Sequence, residues 1–450
     1  MAGSRNTPSV DLAGSVAAVL SRYLKADQTL TVAFSGGVDS AVLLDLAHRL
    51  QADFGYRLEA LHVDHQISPY SAQWAAFCAH SCERREIPLR IETVIVDRDS
   101  GRGIEAASRS ARYRVFEAAA TDWLLTAHNQ DDQIETVFLN LLRGTGPLGL
   151  GGIPESRDMR PNGASQRRIL RPLLEVDRDS IIAYARWRGL EWIEDESNLD
   201  VQLARNFLRH DCLPRLARRF TRFREPVLRS ARWAAEASDL LDVLAAVDHD
   251  QSTDDQGRLG ANALQALGEA RGKNLLRYWL RRHGVRPPDA RRLAEILRQI
   301  VSAATGARIN FVVEGWAIRR YRSWIRLTPL EAAGAPQSIC WNGATRVAWG
   351  RDSIGFEKLR GAGISVAALQ RSPATIRLRR GGERMRLQSG RPSRSLKNLL
   401  QEAGVPPWER PGMPLLWCGD ELVWVPAVGI AAEFRCAPGE DGWLPNWVRD

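Results

Sequence analysis

Ser35-Gly36-Gly37-Val38-Asp39-Ser40 is the segment of this 450-residue sequence with the clearest chemistry. Two adjacent glycines let a backbone turn tightly and approach an anion with no Cβ in the way. The N–H groups of such a turn, leading into a helix N-terminus, make a phosphate cradle. The Ser35 and Ser40 hydroxyls add donors. No Gly-Lys-Ser/Thr follows, so this is not a Walker A loop, and a phosphate's charge must be met by backbone dipoles, arginine and Mg²⁺. Asp39 suits Mg²⁺, which takes one or two carboxylates together with phosphate oxygens. The plainer alternative is an ordinary Ser/Gly turn capped by Ser or Asp.

The surrounding pattern supplies the elements that would position this loop. A β-rich apolar run, Leu30 to Phe34, precedes it, and apolar residues at helical spacing follow it from Ala41 to Leu50. The alternation continues with strands at Leu58 to Val63, Leu89 to Val96 and Trp123 to Ala127, and helices at Tyr70 to Arg85, Gly103 to Ala120 and Gln130 to Leu142. Alternating apolar strands and helices predict an α/β domain whose parallel, Rossmann-like sheet is covered on both faces. Ligands on such sheets bind beyond the C-terminal strand ends. Ser35–Ser40, His62–His65 and His128–Asp132 all fall at strand ends, so three polar clusters should converge on one crevice. The Gly- and Pro-rich run from Gly144 to Asn162 reads as a loop or lid. Val176 to Arg188 reads as a helix and Glu194 to Asn198 as a polar turn. The expected organisation is a catalytic domain over 1–220, a mainly helical domain over 221–330, a linker or irregular stretch over 331–369, and a small α+β domain over 370–450.

Composition narrows the class. Hydrophobic residues are 44% and charged residues 26%, which excludes global disorder, collagen-like repeats and a coiled-coil rod. No stretch approaches the ~18 uninterrupted apolar residues of a membrane span. Asp11 interrupts the N-terminal apolar run, which makes a poor signal peptide. Six scattered cysteines and a large core argue for a reducing cytoplasm. The net charge of +9 is unevenly spread. Residues 1–220 hold 27 Lys and Arg against 29 Asp and Glu, whereas 221–450 hold 35 against 24. Nine basic residues and one acid, Glu383, lie within 371–400. This asymmetry suggests chemistry at one end and a polyanion held at the other, with a solvated basic face as the alternative.

The hexapeptide resembles the PP-loop of the N-type ATP pyrophosphatases (adenine nucleotide alpha hydrolase-like), which cleave ATP to AMP and pyrophosphate while adenylating a substrate oxygen. Further segments narrow the resemblance: Leu61-His62-Val63-Asp64-His65, Gly103-Ile104-Glu105-Ala106-Ala107, Arg109-Ser110-Ala111-Arg112-Tyr113, and Thr126 to Thr136, which runs on to Gly146. Arg171-Pro172-Leu173-Leu174, Asp195-Glu196-Ser197-Asn198 and Arg205-Asn206 follow. This ordered set closely resembles the tRNA(Ile)-lysidine synthetase family over nearly all of 28–216, with Gln66 where that family more often has Gly. The resemblance resumes at Arg379 to Arg384, Gly390-Arg391, Leu396-Lys397 and Pro406 to Arg410. It implies ligation of free L-lysine to C2 of the wobble cytidine in the CAU-anticodon isoleucine tRNA. The route would be an adenylated cytidine, with AMP and pyrophosphate released.

The resemblance also implies roles. Ser35, Gly36, Gly37, Val38, Asp39, Ser40, His62 and Arg109 would bind ATP, with Asp39 on Mg²⁺. Asp39, Asp132 and Arg112 would be catalytic. Asp132 and Glu135, three apart on one helix face beside Asp131, would grip the two ammonium groups of lysine; the alternative is a capping acid cluster with a solvated Glu135. Arg109 and Arg112, also three apart, would clamp phosphates or merely form surface ion pairs. Arg205, Arg379, Arg380, Arg384, Arg391 and Lys397 would contact tRNA. His62, His65 and His128 would shape the nucleotide pocket, or be satisfied core or loop residues, rather than ligate zinc. Expected cofactors are ATP and Mg²⁺; expected partners are that tRNA, free lysine and a second copy in a homodimer, with no membrane. A tRNA thiolase of the same superfamily is the runner-up, but it needs a nucleophilic Cys or an Fe–S cluster, and Cys78 and Cys82 read as packing residues.

Overall fold

Strands and helices alternate from the start because apolar runs of strand length are separated by segments with helical spacing. A computed structural model of the chain describes residues 11–97, 103–159, 168–194, 200–303, 309–330 and 338–449. Met1–Gln251 with Glu269–Pro287 forms one compact unit, and Ser252–Gly268 with Pro288–Asp450 forms another.

In the first unit, α1 (Leu12–Tyr23) is capped by the Asp11 side chain and buries Leu12, Val16 and Leu20. Then come β1 (Thr29–Ala33), α2 (Val38–Phe54), β2 (Arg57–Asp64), α3 (Ser71–Glu83), β3 (Leu89–Thr93), α4 (Ile104–Ala118), β4 (Trp123–Leu125) and α5 (Gln130–Leu142). The Gly-rich run holds a short helix, α6 (Pro147–Leu150), and β5 (Ser156–Asp158), followed by β6 (Arg168–Leu170) and α7 (Arg178–Arg188). The six strands are ordered β3-β2-β1-β4-β6-β5. All neighbours are parallel except β5, which pairs antiparallel with β6. Both faces of the sheet are buried. Leu125 packs with Leu30, Val32 and Leu43 on one side, while its neighbour Leu124 packs with Leu61, Phe116 and Ile169 on the other. The order reverses between β1 and β4, so the turns that follow these two strands lie side by side at a topological switch point.

The remainder of this unit is helical: α8 (Ala204–Phe207), a π turn over Leu208–Cys212, α9 (Leu213–Arg219) and the long α10 (Arg224–Ser252). After β7 (Leu259–Gly260), α11 (Ala261–Arg282) is broken at Gly268, φ 74°, where the chain passes from one unit to the other. No helix among the described residues is long and apolar enough to cross a membrane.

The second unit continues with α12 (Ala290–Ser302), β8 (Ile309–Val313), β9 (Trp316–Tyr321) and β10 (Trp324–Pro329), in a sheet ordered β7-β10-β9-β8. Residues 309–330 are therefore strands rather than part of a helical domain. The C-terminal module contains β11 (Ser338–Cys340), β12 (Arg346–Trp349), β13 (Asp352–Arg360), β14 (Ile364–Ser365), α13 (Val366–Leu369), β15 (Ala374–Arg377), β16 (Arg384–Met385), β17 (Arg394–Ser395), α14 (Leu396–Glu402), β18 (Leu415–Cys418), β19 (Glu421–Val425), β20 (Gly429–Ile430) and β21 (Asp441–Val448). The expectation of an irregular linker over 331–369 is corrected from 338 onward. β13 pairs with β21 from Ser353↔Val448 to Arg360↔Asp441, and β11 pairs with β15. Trp349, Ile354, Phe356 and Ile364 share one core with Leu396, Leu416, Val423 and Trp443. Ala332 to Pro336 lie outside the described residues.

A truncation that removes 370–450 strips β13 of β21 and exposes that apolar face. It is expected to melt lower and aggregate more than a chain ending at Gln337, and thermal melts with light scattering of the two truncations check this.

Candidate active site

The loop after β1 turns because Gly36 adopts φ 85°. A Cβ there would lie 2.7 Å from Ile193 Cδ1 and 3.3 Å from Cys78 Sγ, so both conformation and space demand glycine. The Ile193 N–H donates to the Gly36 carbonyl at 2.9 Å and pins the loop from outside. Gly37 is the N-cap of α2, and no side chain caps this helix. Its first N–H groups are therefore left for an anion. The Ser40 hydroxyl donates to the Gly37 carbonyl at 2.9 Å, with the Ser35 hydroxyl 3.2 Å away. The Ser40 proton thus serves the loop itself, and the backbone N–H groups carry the anion-binding capacity.

Asp39 sits in the first turn of α2. Its Oδ1 accepts from Asn129 Nδ2 at 2.9 Å, and its Oδ2 lies 3.6 Å from Arg178. Burial pushes the Asp39 carboxyl above the usual carboxylate range; Arg178 opposes this, Asp132 adds to it, and the Asn129 amide opposes it. Asn129, 1% exposed, is the N-cap of α5. Its side-chain oxygen accepts from the N–H groups of Asp131 (3.0 Å) and Asp132 (3.1 Å). Asp132 Oδ2 accepts the Asn129 N–H at 3.0 Å, which closes a capping box.

The acids of α5 are neutralised by arginines that arrive much later in the chain. Glu135 is fully buried. Its carboxylate accepts from Arg205 Nε at 2.7 Å and Arg209 Nε at 2.6 Å, while Asp132 Oδ1 accepts from Arg205 (3.1 Å) and Arg209 (3.2 Å). Arg224 from α10 forks onto Asp131. Two expectations change here. Glu135 is neither solvated nor open to an incoming ammonium, because both oxygens already hold guanidinium groups. Arg205 is turned onto these acids and is not presented to an external polyanion.

The histidines divide. His62 is 5% exposed, with Nδ1 2.9 Å from the Phe34 carbonyl and 3.4 Å from Cys78 Sγ, so it packs behind the loop rather than facing a nucleotide. His65 has a buried Nδ1 without a hydrogen-bond partner, and burial, then Arg112, push its pKa down. His128 Nδ1 is 2.9 Å from Thr126 Oγ1. Burial drives its pKa far down; Asp132 opposes this and Arg171, Arg205 and Arg112 add to it, which keeps the ring neutral. Arg112 therefore lies in the electrostatic range of both rings.

Arg109 lies over the Tyr113 ring at 5.1 Å and approaches its hydroxyl at 3.3 Å; Arg157 lies 5.4 Å from the same ring. Arg171, 2% exposed, donates to the Pro154 carbonyl at 2.6 Å, and its Nε is buried without a partner. Burial raises the Tyr113 pKa, but Arg109, Arg171 and Arg157 outweigh it and bring the phenol down. Burial pushes Cys78 up to about 12 and Cys82 up to about 11, so neither is a thiolate nucleophile. Asp195 to Asn198 lie outside the described residues.

In the second unit, Glu383 sits under the Gly381-Gly382 turn. It accepts the N–H groups of Arg380 and Gly381 at 2.6 Å each and Arg379 Nε at 3.1 Å. The turn's donors are thus spent internally, and Arg379 is paired. The Arg384 guanidinium leans on Ser393. Arg380, Arg384, Arg391 and Lys397 are exposed.

Asn129, Arg178 and Arg209 carry the geometry and had no role from spacing alone. One local signal existed: Asn129 followed three residues later by Asp132 resembles a capping-box spacing.

Three family models match. A PP-loop domain covers residues 9–216, a TilS substrate binding domain 259–326, and a TilS substrate C-terminal domain 374–447. A tRNA(Ile)-lysidine synthase of Nitrosomonas europaea is 39% identical over 450 residues, spanning 99% of this chain and 98% of its own. That of Azoarcus sp. is 41% identical over 443 residues, spanning 98% and 96%. That of Coxiella burnetii is 35% identical over 425 residues, spanning 93% of each. Identity of this size along essentially the whole length, on a fold with an intact PP-loop, places the chain in the tRNA(Ile)-lysidine synthase family.

Proposed function

We propose that the crevice beyond β1 and β4 uses ATP to adenylate the C2 oxygen of the wobble cytidine of the CAU-anticodon isoleucine tRNA, then admits the ε-amine of free lysine to C2. Family membership makes the chain an ATP-binding ligase that forms lysidine on tRNA(Ile); the assignment of steps to residues is our own. The observation that carries it is the adjacency of two unlike helix N-termini. That of α2 is uncapped and open to an anion, whereas that of α5 is capped and carries acids matched by arginines.

In the first step the cytidine oxygen attacks the α-phosphorus and pyrophosphate leaves. The α2 N–H groups receive the leaving anion, with Gly36 giving the backbone its close approach. Asp39 offers one carboxylate beside this helix end, a donor set that fits Mg²⁺ when phosphate oxygens and water fill its other positions. Bound there, Mg²⁺ would supply charge neutralisation. Arg109 and Arg112 remain the proposed phosphate contacts. Positioning and electrostatics carry such transfers.

In the second step the amine attacks C2 and AMP leaves. Lysine brings both signs of charge, and the α5 cluster presents both. Asp132, at the edge of the cluster, is proposed to hold the ammonium. Glu135 acts through Arg205 and Arg209, holding both guanidinium groups against Asp132. The basic second unit, through Arg380, Arg384, Arg391 and Lys397, is proposed to grip tRNA, with Arg379 supporting the turn. All six cysteines are free, which suits a cytoplasmic enzyme. The thiolase reading loses ground because Cys78 and Cys82 are buried thiols.

Three outcomes follow. Gly36→Ala forces a Cβ into Ile193 and a left-handed φ onto alanine, so it should cost about 1–3 kcal/mol of stability and most of the ATP turnover; denaturant unfolding and pyrophosphate release read both. Asp132→Asn should raise the lysine KM roughly ten- to a hundred-fold with little change in the ATP KM. Glu135→Gln should also lower the unfolding free energy, by up to about 3 kcal/mol, as two guanidinium groups lose a buried partner. Incorporation of labelled lysine into tRNA measures the lysine KM of Asp132→Asn, and denaturant unfolding measures the stability of Glu135→Gln. An unchanged lysine KM with collapsed ATP use would instead assign Asp132 to the nucleotide.

A further inference from the structure

We propose that Asn129 is a positioning residue that couples the adenylation subsite to the lysine subsite by holding Asp39 and the N-terminus of α5 with one side chain. The proposal rests on the functional reading above and goes one residue beyond it.

Every polar group of Asn129 is committed. Its amide nitrogen donates to Asp39 Oδ1 at 2.9 Å, and its amide oxygen accepts from Asp131 N–H at 3.0 Å and Asp132 N–H at 3.1 Å. Its own N–H donates to Asp132 Oδ2 at 3.0 Å, and its carbonyl accepts from the Gln133 N–H at 3.1 Å. At 1% exposure, water does not compete for these bonds. The orientation of the amide follows from chemistry: the helix end needs an acceptor and the carboxylate needs a donor, and only one flip supplies both.

A helix cap alone does not explain the residue type. Ser, Asp and Asn cap helices about equally well. Only Asn combines the cap with a donor long enough to reach a second carboxylate. Ser is too short for Asp39, and ionised Asp has no proton to give. The bond holds Oδ1 of Asp39 and leaves Oδ2 facing Arg178, 3.6 Å away. A shift of α5 on filling or emptying the lysine subsite is thereby transmitted to Asp39, although the two residues are far apart in the chain.

The test uses full-length protein with ATP, CAU-anticodon tRNA(Ile) and labelled lysine, comparing Asn129→Ser, Asn129→Asp and Asn129→Ala. A cap-only role ranks activity with stability: Ser and Asp near wild type, Ala lowest. The coupling role separates the two rankings. Ser should still melt above Ala, yet pyrophosphate release should fall roughly ten- to a hundred-fold in the Ser variant, the range for a lost hydrogen bond to a charged group. It should fall further in the Asp variant, where a second carboxylate faces Asp39. The loss should appear in the rate of pyrophosphate release and not in the lysine KM. Near-wild-type turnover by Asn129→Asp, or a loss confined to the lysine KM, would overturn the inference. Failure of the wild-type protein to make lysidine would overturn the functional reading instead.

Discussion

Two helix N-termini meet at one point of the sheet, and most of the site follows from that. The reversal of strand order between β1 and β4 sets the starts of α2 and α5 side by side. Each helix end carries roughly half a positive charge and a set of unsatisfied N–H groups. Asp39, Asp131 and Asp132 in the two first turns complement those ends. Burying that many acids is costly without partners. Arg178, Arg205, Arg209 and Arg224 supply them from α7, α8, the π turn and α10. One topological constraint thus recruits charge from segments far along the chain.

The difference between the two ends gives the site its division of labour. At α5 the cap is complete and the acids are matched by arginines, so that end is electrically balanced. At α2 the cap is missing, and Gly36, at φ 85°, brings bare backbone close to Ile193 and Cys78. An anion is the natural complement of the second end, and an amino acid with both signs of charge is the complement of the first. Burial keeps the His128 ring neutral, although Asp132 favours its charged form.

What was legible in the sequence was local. The Leu30 to Ser40 strand, glycine pair and helix were readable because each signal lies within ten residues, and α5 runs from Gln130 to Leu142 as its spacing predicted. The register of long-range pairs was not readable. Charge counting cannot say whether Arg205 faces outward or folds onto Glu135, since its partner lies on another helix. Asn129 was visible as a motif letter, but its bond to Asp39 exists only because β1 and β4 are neighbours. The strands within 338–369 were missed for the same reason: β13 is completed by β21, the last strand of the chain, which lies some eighty residues further on. The helix α1 was legible in principle, since Leu12, Val16 and Leu20 fall four apart on one buried face.

The central claim is the order of chemistry: adenylation of the tRNA first, amine attack second. Rapid mixing of the protein with ATP and CAU-anticodon tRNA(Ile), with lysine withheld, tests it most directly through the release of pyrophosphate. The account predicts a burst of pyrophosphate stoichiometric with enzyme and dependent on tRNA, followed by AMP release and lysine incorporation once lysine is added. Pyrophosphate release that requires lysine, or that proceeds with lysine and no tRNA, would contradict it.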